Sequence, residues 1–155
     1  MTPGINQVKK YKILHTIHEY SPDESSESYG LEAADKMGVT QERVFKTLVV
    51  TLDNKELVVG IIPVSSMLSM KLIAKTVGVK KAAMADKLDV ERSTGYVLGG
   101  VSPLGQKKRL KTIIHSSANN YSTIYVSAGR RGLEIELNPA DLAKLINGKF
   151  ADICQ

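Results

Sequence analysis

Residues 45–62 constrain the fold more than any other stretch of this chain. Two apolar runs, FKTLVVTL (residues 45–52) and ELVVGII (residues 56–62), are separated only by Asp53, Asn54 and Lys55. Both runs are rich in β-branched residues, and a short loop of turn-favouring residues is enough to reverse a chain between antiparallel strands. The pattern predicts a hairpin. A strand with one wet face alternates apolar and polar residues, and these two barely do. Both faces of part of the sheet therefore need cover, so other elements must form layers around the hairpin.

The rest of the chain supplies them. Thr2-Pro3 reads as a helix N-cap followed by proline in the first turn, with the helix running to about Tyr11. Residues 13–20 read as a strand, residues 21–28 (SPDESSES) as a polar loop, and residues 31–37 as a short helix stopped by Gly38. Gln41 to Val44 predicts one further helical turn. After the hairpin, Ser69 opens a helix over MKLIAKTV that Gly78 ends, residues 79–84 suit a short strand, and residues 86–92 a short helix with an acidic cap. Strands are predicted at residues 110–115 and 123–127. Residues 128–132 read as a glycine-rich turn into LEIEL (residues 133–137), whose strict alternation marks a half-buried strand. Asn138-Pro139 repeats the cap-plus-proline signal for a last helix ended by Gly148. The expectation is one mixed α+β domain over residues 1–155 with several antiparallel strands.

Composition narrows the function classes. A chain of 155 residues is long enough for one core and short for two. The opening MTPGINQVKKYK has no apolar run resembling a signal peptide, and no window approaches the roughly 18 apolar residues of a membrane span. The single cysteine, Cys154, excludes a disulfide framework and suits the reducing cytoplasm. Its place next to the last residue makes it a poor nucleophile, since terminal residues fray. His15, His18 and His115 lack metal-ligand spacing, no Cys-x-x-Cys occurs, and there is neither a nucleophile elbow nor a phosphate loop, so no metal or cofactor is expected. A formal net charge of +5 leans towards an anionic partner.

Three features remain as candidate chemistry. Lys46, second in FKTLVV, is either a strand-end lysine reaching to water or a cation in a half-enclosed pocket, aimed at a phosphate or a developing oxyanion. Two glycine loops, Gly99-Gly100-Val101-Ser102-Pro103 and Ser127-Ala128-Gly129, are either tight turns or backbone walls whose amides stabilise negative charge on a carbonyl oxygen. Lys107, Lys108, Arg109 and Lys111 follow the first loop, and Arg130 and Arg131 follow the second. These are either solvated faces or, if the loops converge, a cationic rim around one pocket.

FKTLVV, STGYVLGGVSPLGQKKR and YVSAGRRGLEIEL, in this order and spacing, resemble the YbaK/EbsC family of free-standing Cys-tRNA(Pro) deacylases, which is related to the editing domain inserted in bacterial prolyl-tRNA synthetases. The resemblance covers essentially the whole chain. It implies a curved, barrel-like, largely antiparallel sheet with surrounding helices. It also implies removal of cysteine from mischarged tRNA(Pro), alongside prolyl-tRNA synthetase and without a cofactor. The family's essential lysine falls on Lys46, followed by Thr47. Its pocket glycines fall on Gly99 and Gly100 within a loop that includes Ser102. Its second loop falls on Ser127 and Gly129, and a pocket tyrosine on Tyr20. Tyr29 stands where phenylalanine is common, Ala128 replaces a frequent glycine, and Glu134 stands where aspartate is often found. In the implied mechanism the substrate's own thiol attacks its ester carbonyl and leaves as a thiolactone. The cations at 107–109, 111, 130 and 131 would meet tRNA phosphates. Water-mediated deacylation of Ala-tRNA(Pro) or a related misacylated tRNA, and a non-catalytic tRNA-binding or regulatory module, are the alternatives.

Overall fold

The computed structural model describes residues 1–23, 25 and 28–155, so part of the polar loop expected over 21–28 lies outside the described residues. In chain order the elements are α1 (Pro3–Lys10), β1 (His15–Glu19), α2 (Tyr29–Met37), a 3-10 turn (Gln41–Arg43), β2 (Phe45–Leu52), β3 (Leu57–Pro63), α3 (Met70–Val77), β4 (Ala82–Met84) and α4 (Lys87–Thr94). They continue with β5 (Lys111–His115), a second 3-10 turn (Ser116–Asn120), β6 (Ile124–Arg130), β7 (Leu133–Leu137), α5 (Pro139–Ile146) and β8 (Lys149–Ala151).

The helix starts are set by the residues expected to cap them. Thr2 Oγ1 accepts from the Ile5 amide at 3.2 Å, Ser69 Oγ from Leu72 at 3.1 Å, and Asp86 Oδ1 from Asp89 at 3.0 Å. Asn138 Oδ1 accepts from both Ala140 and Asp141. Each bond satisfies an amide that the first turn of a helix leaves without a partner. The stop of α5 differs from expectation. Asn147, at φ 53°, takes the left-handed position assigned to Gly148, because asparagine tolerates that region better than most side chains.

The hairpin of β2 and β3 lies at the centre of a five-stranded sheet of order β4-β2-β3-β5-β8. Its two faces are both buried, for the reason its composition implied. Phe45, Val49, Val59 and Ile61 enter one core, with Val126 and Ile135 opposite and Ile5, Val8 and Leu142 from α1 and α5. Val50, Leu52, Val58 and Ile62 point the other way, onto Ile73 of α3, Leu68 and Ile153. Fully burying each such side chain contributes roughly 1.5–3 kcal/mol.

The fold is mixed α+β with a largely antiparallel strand set, but the sheet does not close into a barrel. β1, β7 and β6 form a separate antiparallel sheet of three strands. The two sheets meet through an isolated parallel bridge between Val44 and Tyr125, one residue before β2 begins.

Three local expectations also change. β6 runs on through the predicted turn to Arg130, with a register shift between Ser127 and Arg130. It does so because Ala128 is buried against α1, where its carbonyl accepts the Thr2 hydroxyl. β7 is more deeply buried than its alternation implied, since Glu134 is buried on the second face while Glu136 beside it is half-buried. Finally, the C-terminal residues are tied down rather than frayed. Ser69 N–H donates to Ile153 O at 2.8 Å, Gln155 N–H to Met67 O at 3.0 Å, and Cys154 bridges Leu68. No described helix is long and apolar enough to cross a membrane.

Candidate functional site

Alternation along the three-stranded sheet puts Leu133, Ile135 and Leu137 into the core and turns Glu134 and Glu136 to the other face. Ser127 is in register with Glu134 on that second face, and His18 is its partner on β1. Where this polar face meets the start of β2 and the start of α2, a cavity of about 320 Å³ opens. Lys46, Thr47 and Ser127 line it, as do Tyr20, Tyr29 and Gly99. Segments separated by tens of residues in sequence thus surround one space.

Lys46 sits opposite Ile62 in the hairpin and is half-buried. It makes no ion pair among the described residues, and burial holds its pKa below the ordinary lysine value. Thr47 Oγ1 is buried and has no hydrogen-bond partner among the described residues. Ser127 Oγ accepts the Gly129 amide at 3.1 Å, which leaves its own proton free to donate. Glu134 is 6% exposed yet lines the cavity, and burial pushes its carboxyl up to about 8. It accepts no hydrogen bond from a described residue. The cavity wall therefore holds an ammonium, a hydroxyl and a carboxyl with no protein partner among those residues. Buried polar groups are normally paired, so this pattern marks a place built for a polar ligand.

Arg131 also lines the cavity, but not as a free cation. Its guanidinium holds the buried Glu32 carboxylate with two bonds, Nε–Oε1 at 3.0 Å and Nη2–Oε2 at 3.1 Å, and lies 4.3 Å from the Tyr29 ring centre. Arg131 donates to the Asp23 carbonyl, and the Asp23 amide donates to Glu32 Oε2 at 2.8 Å. The Arg131 hydrogen bonds hold the Glu32 carboxyl below the usual carboxylate range. This network fixes Tyr29 against Gly99, where an added Cβ would stand 2.5 Å from Tyr29 Cε2. Arg131 thus builds the wall through its Nε and Nη2 groups, and only Nη1 has no partner among the described residues.

Several other expected contacts are not brought to the cavity. Gly100 is buried and its amide donates to Val97 O at 3.0 Å. A Cβ there would lie 2.8 Å from Arg130 Cα, so its bare backbone lets the loop pack against the β6–β7 turn. Ser102 is fully buried beneath the loop, where its Oγ accepts from the Leu104 amide at 3.1 Å. Gly129 faces the Tyr96 ring and Thr2, and its amide is taken by Ser127. Of the glycines named, only Gly99 lines the cavity, and its amide has no acceptor among the described residues.

Apart from Arg131, the expected cations do not rim the cavity. β5 runs parallel to β3 with Lys111 opposite Val58, whereas Lys46 is opposite Ile62 at the other end. Four residues along and two strands across put their Cα atoms about 16 Å apart. Lys111 pairs with Glu56 at 3.6 Å, Lys107 is an exposed residue after α4, and Lys108 and Arg109 line a different cleft. Arg130 lies on a further surface with Lys9 and Glu19. Glu134 is the site residue whose importance sequence reasoning underrated: it was visible only as a departure from aspartate. The available signal was LEIEL itself, since alternation puts Glu134 on the face shared with Ser127. Among the described residues, no group of His, Cys, Asp and Glu could hold a metal ion.

Residues 26–145 match the aminoacyl-tRNA editing domain family. The chain is 39% identical over 155 residues to EbsC of Enterococcus faecalis, whose name provisionally assigns it Cys-tRNA(Pro)/Cys-tRNA(Cys) deacylase activity; the match covers 98% of this chain and 92% of that one. It is 26% identical to the uncharacterised YwhH of Bacillus subtilis, over 85% of this chain and 84% of that one. A crystal structure described provisionally as a trans-editing enzyme for prolyl-tRNA synthetase shares the fold, with a TM-score of 0.84 at 19% identity over 100% of this chain and 99% of that one. With its sequence match spanning most of the chain, this protein belongs to the aminoacyl-tRNA editing domain family.

Proposed function

We propose that the cavity deacylates mischarged Cys-tRNA(Pro), with Cys-tRNA(Cys) as a second substrate, by letting the cysteine thiol displace the tRNA. The observation that carries this reading is the makeup of the wall. It offers charge and hydrogen bonds from Lys46, Thr47, Ser127 and Glu134, and among the described residues no cysteine or histidine lines it to serve as a nucleophile. The name of the EbsC relative supports the choice of cysteine.

An aminoacyl ester is already activated, so orientation and electrostatics are the main contributions required of the protein. The substrate sulfur forms a bond to its own carbonyl carbon, the ester C–O bond breaks, and the thiol proton ends on the departing ribose oxygen. Cysteine leaves as a thiolactone that water later opens. The Gly99 amide and the Ser127 hydroxyl are the free donors for the developing oxyanion. Lys46 adds positive charge for that oxygen or for the terminal phosphate. Glu134 is the acceptor for the substrate's α-ammonium, and that cation would draw its raised pKa back down. Tyr20 and Tyr29 confine the side chain. The reaction belongs in the cytoplasm beside prolyl-tRNA synthetase, which makes the mischarged species.

The test is a deacylation assay on Cys-, Ser- and Ala-tRNA(Pro), with trapping of the thiolactone. Turnover of the cysteine ester alone, with trapped thiolactone, is the expected result. Equal turnover of the alanine ester with direct release of the free amino acid replaces the thiol route by bound water. Binding of tRNA without turnover of any ester removes catalysis altogether.

A further inference from the structure

Two clefts on the surface away from the cavity are lined, among the described residues, without a single carboxylate. One, of about 220 Å³, lies between α1, the 103–110 segment and α5, with Gln7, Tyr11, Lys108 and Arg109 in its wall. The other, of about 310 Å³, continues along the starts of β5 and β8, with Lys111 and Lys149. They share Arg109, Leu110, Thr112 and Ile146, so they form one groove. Lys108, Arg109 and Lys149 are exposed and form no ion pair among the described residues. Tyr11, 57% exposed, stands at one end with the Lys10 ammonium 5.6 Å from its ring centre. Uncompensated cations along a groove, with an aromatic ring at its edge, match a polyanion carrying flat rings.

The groove is also connected to the cavity. The segment that supplies Gly99 to the cavity wall supplies Pro103, Gly105 and Gln106 to the groove. Lys111 lies about 16 Å from Lys46, which at a stacked rise of about 3.4 Å per nucleotide is a distance of four or five nucleotides.

We propose that this groove holds the phosphate backbone of the acceptor stem of the same tRNA, four or five nucleotides before the acylated 3′ end. The proposal rests on the deacylase reading for its substrate, and it replaces the expected rim of cations at the pocket by a distant anchor. Lys108, Arg109 and Lys149 each neutralise a phosphate, Tyr11 flanks the ribose edge, and Arg130 and Arg131 take no part. A substrate ending within three nucleotides of the ester cannot reach the groove.

The experiment compares Lys108→Ala/Arg109→Ala/Lys149→Ala with Lys75→Ala/Lys80→Ala/Lys81→Ala, which removes the same charge from other exposed positions. Affinity for uncharged tRNA is measured from 50 to 300 mM salt. Turnover is measured on Cys-tRNA(Pro) and on a cysteinylated CCA trinucleotide. In the groove variant, tRNA affinity at low salt is expected to fall at least tenfold. The slope of log affinity against log salt should flatten by about two to three, at roughly 0.7–0.9 per contact. The ratio of kcat/KM for tRNA to that for the trinucleotide should fall at least tenfold. The single reversal Arg109→Glu should show the same pattern in smaller measure. Equal effects in the two triple variants, or an unchanged ratio, would overturn the groove. If the wild type deacylates neither substrate, the deacylase reading fails, while the binding slopes still decide for or against the groove.

Discussion

Glu134 gives the sharpest quantitative test, because its environment makes a signed prediction about stability. In the unfolded chain its carboxyl titrates near 4.5, and in the folded protein burial raises that to about 8. Between those two values the unfolded chain has lost its proton and the folded protein has kept it. The unfolded state then binds fewer protons, so stability falls as pH rises through this window and levels off above it. At about 1.4 kcal/mol per pKa unit, the shift corresponds to roughly 5 kcal/mol lost between pH 4.5 and 8, as an upper bound before the site relaxes or admits water. The groups whose carboxyls are held low, Glu32, Glu136 and Asp23, act below this window, where they lose their contribution as pH falls. Glu134→Gln keeps the shape and removes the ionisation. Urea unfolding at pH 5, 7 and 9 should show the variant within about 1 kcal/mol of wild type at pH 5. By pH 9 it should exceed wild type by several kcal/mol, within the bound set by that shift. Two curves that stay parallel from pH 5 to 9 would show that Glu134 is hydrated or paired and that its raised pKa is wrong. In the deacylation assay the same variant should raise KM for the cysteine ester, since an amide cannot offer a negative charge to the α-ammonium.

Other substitutions separate function from fold. Lys46→Ala should lose deacylation by about a hundredfold or more, the scale of removing one transition-state donor, while thermal unfolding stays at or above the wild-type midpoint because a half-buried unpaired cation is removed. Wild-type turnover would take the lysine out of the site. Thr47→Val replaces a buried hydroxyl that has no partner among the described residues, so stability should hold or rise by up to about 1 kcal/mol. A rise in KM without unfolding would place that hydroxyl on the substrate, and a marked loss of stability would show that it has an internal partner. Gly100→Ala puts a methyl 2.8 Å from the Arg130 backbone, which has no side-chain freedom with which to yield. A cost of about 1–3 kcal/mol is expected in denaturant unfolding, and a neutral result would mean that the loop does not pack on the β6–β7 turn.

The element order was legible in the sequence because its signals are local. Caps such as Thr2, Ser69, Asp86 and Asn138 act within three residues, and the apolar hairpin announces its own burial on both faces. β8 was missed because three residues in a parallel pair with β5 carry too little pattern to stand out. The way the two sheets meet was equally invisible, since the bridge joins Val44 to Tyr125, far apart in the sequence.

The residue types of the candidate site followed from sequence, and their division of labour did not. Lys46, Thr47, Tyr20, Tyr29, Gly99 and Ser127 were named from motif and type, and they line one cavity. Gly100, Ser102 and Gly129 belong to the same motifs, yet their groups are spent on holding the loops together. Adjacent cations in sequence likewise parted company: Arg131 was drawn into an ion pair with Glu32, while strand register carried Lys111 to the far end of the sheet. Which polar group stays free for a ligand depends on partners supplied by remote segments. Chain folding alone determines those partners, and with them the proton that Glu134 keeps.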